Sequence, residues 1–113
     1  MGTTTKNKYG ARQLTAPDGQ KFDSVKEYHR WGVLRLLERA GKISDLKRQV
    51  SFELIPKQEG ERALTYIADF TYQENGELVV EDVKGYKGGA VYQIFVCKRK
   101  LMLWVHGIRI KET

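Results

Sequence analysis

Hydrophobic and polar positions alternate along the chain with two different periods, and these periods divide the sequence into predicted elements. Between Ser24 and Ala40 the apolar positions recur at the spacing of an α-helix, and Gly41 directly after them is typical of a helix end. The pattern predicts a helix over 24–40 whose broad apolar face consists of Val33, Leu34, Leu36, Leu37 and Ala40.

Three strand patterns follow this helix. Segment 49–56 combines β-branched and aromatic residues and stops at Pro56, and segments 63–73 and 77–84 lie on either side of Asn75–Gly76. An Asn-Gly pair between two apolar runs is a strong short-range signal of a β-hairpin. These segments are therefore predicted as strands, the last two joined by a tight turn.

The two ends of the chain complete the prediction. Segment 90–104 is long enough to favour a helix despite its β-branched residues, and the alternating segment 107–112 predicts a short closing strand. A turn is expected at 16–19, and the polar, basic residues 1–13 are predicted as a flexible arm before a domain of residues 14–113. The order α-β-β-β-α-β indicates a single-domain α/β fold with a mixed sheet.

Composition adds expectations about partners and compartment. The formal net charge of +6 favours a polyanionic partner, first of all nucleic acid. A single cysteine, Cys97, allows no internal disulfide and fits a reducing compartment. No apolar run is long enough for a membrane helix and no signal peptide is visible, so a cytoplasmic protein without membrane contact is expected.

The Asn75–Gly76 turn also predicts the register of the hairpin. If these two residues form the loop, Phe70 faces Glu81, and Asp69 faces Asp82 on the other side of the sheet. Two carboxylates directly opposed in this way destabilise a hairpin. A positive charge is therefore expected between them.

Alternation separates this acidic side from a core side. The predicted core residues are Tyr66, Ala68, Phe70, Tyr72, Val79 and Val83. Glu81 falls on the core side, which favours Asp82 as the functional acid, although a bulge near the strand end would exchange the two. Lys84 lies on the side of Asp82 and can neutralise the pair by itself, whereas a divalent cation held by carboxylates is the alternative.

These residues resemble a known family. Asp69 followed by Asp82-Val83-Lys84, after a helix that carries Glu27, is similar to the PD-(D/E)xK nuclease superfamily, and the predicted element order matches its restriction-endonuclease-like core over most of residues 22–112. The stretches NKYGAR, FDSVKE and YIADF…VVEDVKG look like small phage and prophage members, close in size to Holliday-junction resolvases. Ala68 stands where the family's name-giving proline precedes the acid, and Asp82 replaces the commoner glutamate.

The resemblance implies roles for individual residues. Asp69 and Asp82 would bind Mg²⁺, with Mn²⁺ able to substitute, and the backbone carbonyl of Val83 would be a third protein ligand. Lys84 would position or help to deprotonate the attacking water. Glu27 would complete the acidic cluster through a water or a second ion, so the catalytic set is Glu27, Asp69, Asp82 and Lys84.

Glu27 also has a purely structural explanation. Ser24 and Glu27 have the spacing of a capping box, in which the glutamate bonds back to the amide of the serine. The sequence leaves both roles open. DNA contacts are expected from basic residues of the arm, of the loop after the hairpin and of the second helix, namely Lys6, Lys8, Arg12, Lys87 and Lys98.

Together these features predict a Mg²⁺-dependent DNA endonuclease that is selective for branched DNA, in the manner of a phage junction resolvase in the host cytoplasm. The alternatives are a non-catalytic DNA-binding module on a degenerate nuclease fold and a phage assembly protein. Two coordinated cuts on a junction require a homodimer. The sequence leaves open which DNA structure is preferred and how many metal ions bind. It also leaves open whether four apolar residues form the dimer interface or belong to the core, namely Ile94, Phe95, Met102 and Trp104.

Overall fold

The strands of this protein form two separate sheets on either side of the first helix in chain order. The structure, a computed structural model, describes residues 4–6 and 12–113, with side chains from residue 13 onwards. An antiparallel three-stranded sheet comes first, in the order β1 (Thr4–Lys6), β2 (Arg12–Thr15) and β3 (Lys21–Phe22). Helix α1 (Val25–Arg39) leads from it to the main sheet.

The main sheet has four strands, and the predicted hairpin lies at its centre. Its strand order follows the chain: β4 (Ser44–Ile55), β5 (Leu64–Glu74), β6 (Glu77–Asp82) and β7 (Lys111–Glu112). The first three strands are antiparallel, and β7 is parallel to β6. Between β6 and β7 the chain forms helix α2 (Gly89–Leu101), which continues as a π-helical segment, Met102–His106. The predicted single-domain α/β fold with a mixed sheet and two helices is confirmed.

The N-terminal sheet was not predicted. Two parts of the segment expected to be a flexible arm, Thr4–Lys6 and the first residues of β2, form strands, and the rest of that arm lies outside the described residues. Strands of two to four residues are too short for a period to emerge from the sequence. The predicted turn at 16–19 does connect β2 to β3, since the amide of Gly19 donates to the carbonyl of Ala16 at 2.9 Å.

The first helix has the predicted ends but a narrower buried face. Ser24 is its N-cap, and Gly41, just beyond the last turn, has a φ of +76°. Of the predicted apolar face, Leu34 is fully buried and Leu37 half-buried, but the rest is exposed: Val33, Leu36 and Ala40. The prediction of a broad apolar face was wrong because only a narrow stripe of α1 packs against the sheet. Positions one or two residues from Leu34 lie on other sides of the helix and point away from the sheet.

The hairpin has the predicted register. Asn75 and Gly76 both have positive φ, at 52° and 79°, as a type I′ turn requires. The pairing runs from Glu74–Glu77 to Phe70–Glu81, one residue short of Asp69.

The core consists of two clusters, one beneath each helix. The cluster on the side of α2 contains Leu54, Tyr66, Ala68, Val80, Phe95, Met102 and Ile110. The cluster on the side of α1 contains Leu34, Ile43, Phe70 and Tyr72, with Val79 and Val83 packed against it. Neighbours in a strand point to opposite faces, so Val79 and Val80 place the clusters on opposite faces of the sheet. The predicted core residues are all buried or half-buried. The prediction that they share one side of the sheet was wrong, because both faces are covered by a helix: Tyr66 and Ala68 belong to the first cluster, and the other four belong to the second.

The second helix buries one side and exposes the other. Phe95 and Met102 belong to the core, whereas Ile94 and Trp104 are 58% and 87% exposed. Neither helix in the described part of the chain is long and apolar enough to cross a membrane.

Candidate active site

A cavity of about 400 Å³ opens where the start of α1, the middle of β5, the end of β6 and the first turns of α2 meet. Its titratable lining residues are Asp23, Lys26, Glu27, Asp69, Asp82, Lys84, Tyr86 and Tyr92. All four residues predicted to be catalytic therefore lie at one cavity, although they come from three separate elements and a loop.

Strands β5 and β6 stop pairing just before they reach this cavity. The last pair is Phe70–Glu81, and Asp82 pairs instead with Glu112 of β7. The side chain of Asp69 replaces the missing ladder contact, because its Oδ2 accepts a 2.8 Å hydrogen bond from the amide of Val83. The predicted direct opposition of Asp69 and Asp82 is thus absent from the ladder, yet both residues line the same cavity.

An irregular residue of β4 lies opposite Asp69. Gln49 has a φ of +53°, and it sits between two regular pairs of β4 and β5, Arg48–Phe70 and Val50–Ala68. On either side of this point β5 contributes to different core clusters, Ala68 to the one beneath α2 and Phe70 to the one beneath α1. The buried side chains of β5 therefore point towards α2 before Asp69 and towards α1 after it.

Asp82 is held by a donor on each of its oxygens. Its Oδ1 lies 2.8 Å from the Nζ of Lys84, and its Oδ2 accepts a 2.6 Å hydrogen bond from the hydroxyl of Tyr66. The Nζ of Lys84 also lies 3.5 Å from the ring centroid of Phe95, a cation–π contact. Both the acid and the lysine are fixed in orientation by these contacts.

Glu27 divides its roles between backbone and side chain. Its amide donates to the Oγ of Ser24 at 3.0 Å, which is one half of the predicted capping box. Its carboxylate, in a residue that is only 2% exposed, does not complete that box but accepts a 3.3 Å hydrogen bond from Nη2 of Arg48. It also lies close to Asp69, so the cap and the cavity use different atoms of the same residue.

Three carboxylates of the cavity lie close to one another. One oxygen each from Asp23, Glu27 and Asp69 lies within 4.8 Å of the other two. Burial, together with the charges of Asp82 and Glu27, raises the pKa of Asp69 to about 8. Burial and the charge of Asp23 raise the pKa of Glu27. Such a cluster fits a hard divalent cation, because all its donors are oxygens and a cation would relieve their repulsion.

Glu81, the neighbour that a bulge would have exchanged with Asp82, is occupied elsewhere. It is fully buried and accepts two hydrogen bonds from Arg30, at 2.6 and 2.8 Å, and one from the hydroxyl of Tyr72. Burial opposes its ionisation, but the hydrogen bonds from Arg30 and Tyr72 outweigh burial and lower its pKa. Glu81 is a paired structural charge on the α1 side, and Asp82 is the acid that lines the cavity.

Several residues of the site were missed by sequence reasoning. Asp23 directly precedes the N-cap of α1, outside the helix, so helical spacing gave no signal that it would lie near Glu27. Lys26 donates from Nζ to the backbone carbonyl of Lys84 at 2.6 Å, which links α1 to the loop after β6. Tyr66 had no sequence signal, because alternation places it with the core residues.

The residues predicted to bind DNA are only partly near the cavity. Lys87 lies on the adjoining loop, with its Nζ 3.7 Å from Oε1 of Glu112 and its side chain 58% exposed. Lys98 is half-buried on α2 and does not line the cavity. Lys6 and Arg12 lie in β1 and β2 with side chains outside the described residues, and Lys8 lies outside them altogether.

Comparison with known proteins identifies one family. The sequence profile described as "Protein of unknown function (DUF1064)" matches residues 6–106, which is most of the chain and includes every residue of the cavity. No curated protein and no solved structure matches the chain. The profile covers both helices and the hairpin that carry the candidate site, and the chain belongs to the DUF1064 family.

Proposed function

We propose that this protein is a metal-dependent endonuclease that hydrolyses phosphodiester bonds in DNA, similar in its site to the PD-(D/E)xK nucleases. The observation that carries the proposal is the meeting of Asp69, Asp82, Lys84 and Glu27 at one cavity. Two acids at the open end of a hairpin, with a lysine bonded to the second, are the groups that such a reaction needs.

The carboxylates suit Mg²⁺, with Mn²⁺ as a substitute. Following the resemblance, Asp69 and Asp82 would hold the ion directly, the carbonyl of Val83 would be a further ligand, and Glu27 would act through a water. In the structure the carboxylates that lie within 4.8 Å of one another are those of Asp69, Glu27 and Asp23. Both oxygens of Asp82 contact Lys84 or Tyr66, so Asp82 would have to leave Lys84 to bind the ion. When bound, the ion supplies Lewis-acid activation of the phosphate and lowers the pKa of a water. Burial and the charges of Asp82 and Glu27 raise the pKa of Asp69, and a bound cation would offset this repulsion and favour the ionised form.

The protein's own residues would orient the reaction. Lys84 is held by Asp82 on one side and by the ring of Phe95 on the other, so its ammonium can donate to the attacking water or to a phosphate oxygen. Lys26 keeps the loop after β6 close to α1 and brings a second positive charge to the cavity. The hydroxyl of Tyr66 fixes the orientation of the Asp82 carboxylate through a hydrogen bond.

The substrate we propose is DNA, and branched DNA in particular. The net charge of +6 supports a polyanionic partner. A cut in each of two strands of a junction would require a homodimer, for which the exposed apolar side chains of Ile94 and Trp104 are available.

The proposal is tested by cleavage of a labelled four-way junction and a linear duplex of matched sequence, with Mg²⁺ or with EDTA. Asp82→Ala should abolish cleavage and retain DNA binding, whereas Glu77→Ala, an exposed acid on the same hairpin, should cut like the wild type. Paired nicks on the junction alone would support a resolvase, and equal cutting of both substrates would support a nuclease without branch selectivity. Unimpaired cutting by Asp82→Ala would overturn the assignment of the site.

A non-catalytic DNA-binding module is the second candidate. It is favoured by the direct contact of Lys84 with Asp82, which already neutralises one acid without a metal. Salt-sensitive DNA binding with no cutting in Mg²⁺ or Mn²⁺ would select this candidate.

A further inference from the structure

Tyr86 presents an exposed aromatic ring at the mouth of the candidate active site. It lies in the loop between β6 and α2, two residues after Lys84, and it lines the cavity. The residue is 71% exposed, whereas the two other aromatic residues of the lining, Tyr92 and Phe95, are half-buried and buried. Its ring is therefore open to a ligand that enters the cavity.

The ring of Tyr86 packs against two glycines. A Cβ atom added to Gly88 would stand 2.5 Å from the hydroxyl oxygen of Tyr86 and 2.6 Å from its Cζ, and one added to Gly89 would stand 3.6 Å from its Cε2. The ring thus lies directly against the backbone at the start of α2. Any side chain at Gly88 would displace it, so the bare backbone there permits its position.

Three lysines belong to the same loop or the same cavity as the ring. Lys87 is the next residue, with its side chain 58% exposed and its Nζ 3.7 Å from Glu112, and Lys84 and Lys26 line the cavity. A flat aromatic face next to several lysines is the arrangement with which proteins bind single-stranded nucleic acid, since the lysines contact the phosphates and the ring stacks on a base.

We infer that Tyr86 stacks on an unpaired nucleobase next to the phosphate held in the cavity, and that this contact favours DNA with unpaired bases over continuous duplex. In a duplex both faces of each base are covered by neighbouring pairs, whereas a base at a branch or in a single strand has a free face. Because every base has such a face, the selection is for DNA structure and not for sequence. This inference rests on the proposed function and specifies its substrate.

Binding measured without cleavage tests the inference separately from the nuclease proposal. Fluorescence anisotropy in EDTA would compare a labelled oligothymidylate with a blunt duplex of the same length. Tyr86→Ala should weaken binding to the single strand about tenfold and leave duplex binding unchanged. Tyr86→Phe, which keeps the ring, should bind like the wild type. Gly88→Ala keeps Tyr86 but displaces its ring, and should resemble Tyr86→Ala.

His29 offers a matched control, because its aromatic ring is exposed on α1 and does not line the cavity. His29→Ala should leave the preference for single strands intact. The inference is overturned if Tyr86→Ala weakens both DNAs equally or neither, or if His29→Ala has the same effect. If the Tyr86 effect is found but no metal ion supports cutting, the nuclease proposal fails and the stacking site stands. If the protein cuts DNA but Tyr86→Ala has no effect on binding, the stacking inference fails and the nuclease proposal stands.

Discussion

The hydroxyl of Tyr66 donates a 2.6 Å hydrogen bond to Oδ2 of Asp82, and both side chains are buried. A second pair of the same kind lies on the same hairpin, where the hydroxyl of Tyr72 donates to Oε2 of Glu81. Burial and the neighbouring carboxylate raise the pKa of each tyrosine, so both remain protonated donors at neutral pH. The first pair belongs to the cavity, and the second to the core beneath α1.

Mutation of Tyr66 should weaken metal binding, whereas mutation of Tyr72 should not. Tyr66→Phe removes a hydrogen bond that orients a metal-binding carboxylate, so the affinity for Mn²⁺ should fall about 10–100-fold. Tyr72→Phe should cost about 1–3 kcal/mol of unfolding free energy and leave Mn²⁺ affinity unchanged. Calorimetric titration with Mn²⁺ and urea denaturation of both variants measure the two effects. Equal Mn²⁺ affinities in both variants would contradict the assignment of Tyr66.

The buried pair of Arg30 and Glu81 should be essential for stability. Arg30→Ala leaves a fully buried carboxylate without its cation, which should lower the free energy of unfolding by about 3–5 kcal/mol. Arg35→Ala, an exposed arginine on the same helix, should cost less than about 1 kcal/mol. Urea denaturation followed by circular dichroism compares them, and similar losses in the two variants would show that the pair is not important.

The two roles of Glu27 can be separated by mutation. Glu27→Gln keeps the backbone amide that donates to the N-cap Ser24 but removes the negative charge of the side chain from the cavity. Cleavage should therefore fall about 10–100-fold with little change in helix stability. Ser24→Ala removes the acceptor of the cap and should cost about 1 kcal/mol while cleavage is retained. Cleavage rates measured together with melting temperatures test both. A Glu27→Gln variant with full activity would leave Glu27 only its role in the helix cap.

The pH dependence of stability follows from Asp69. Its pKa of about 8 in the folded protein is above the value of 3.8 for an ordinary aspartate, so between these pH values the folded state holds a proton that the unfolded chain has released. The metal-free protein should therefore lose stability as the pH rises from about 4 to about 8. Melting temperatures in EDTA across this interval measure the effect.

Asp69→Asn provides the control for that pH dependence. The variant lacks the titrating group, so its melting temperature should vary less over the same interval. Mg²⁺ should raise the melting temperature of the wild type most at the alkaline end, where it no longer competes with the proton. A wild type and an Asp69→Asn variant with identical pH profiles would contradict the shifted pKa.

Local signals made part of the fold and of the site predictable. The ends of α1 depend on Ser24 and Gly41, and the register of the hairpin depends on Asn75 and Gly76, whose positive φ values a two-residue turn requires. From that register, alternation separated Glu81 from Asp82 and brought Asp69 and Lys84 to one side. Each step uses residues that are near in sequence or directly paired.

Other features depend on how the elements pack, and the sequence could not indicate them. Alternation placed Tyr66 with the core, but its hydroxyl reaches Asp82 because β5 changes the direction of its buried side chains at Asp69. The pairing of β5 with β6 ends before the acids, so a side chain takes the place of a ladder contact. Neither the end of the ladder nor the irregular residue Gln49 has a local cause that can be read in the chain.

By itself the sequence determined the order of the elements from α1 onwards, the hairpin register and the set of acids and lysine at its end, because caps, turns and alternation are properties of a few neighbouring residues. Only the tertiary structure decided which side of each helix is buried, which left Leu36 and Trp104 exposed. It also decided that Glu27 turns its carboxylate to Asp69 and Arg48 and not back to its own cap. The physical reason is that burial and charge compensation are set by all the elements that surround a side chain, and these come from distant parts of the chain.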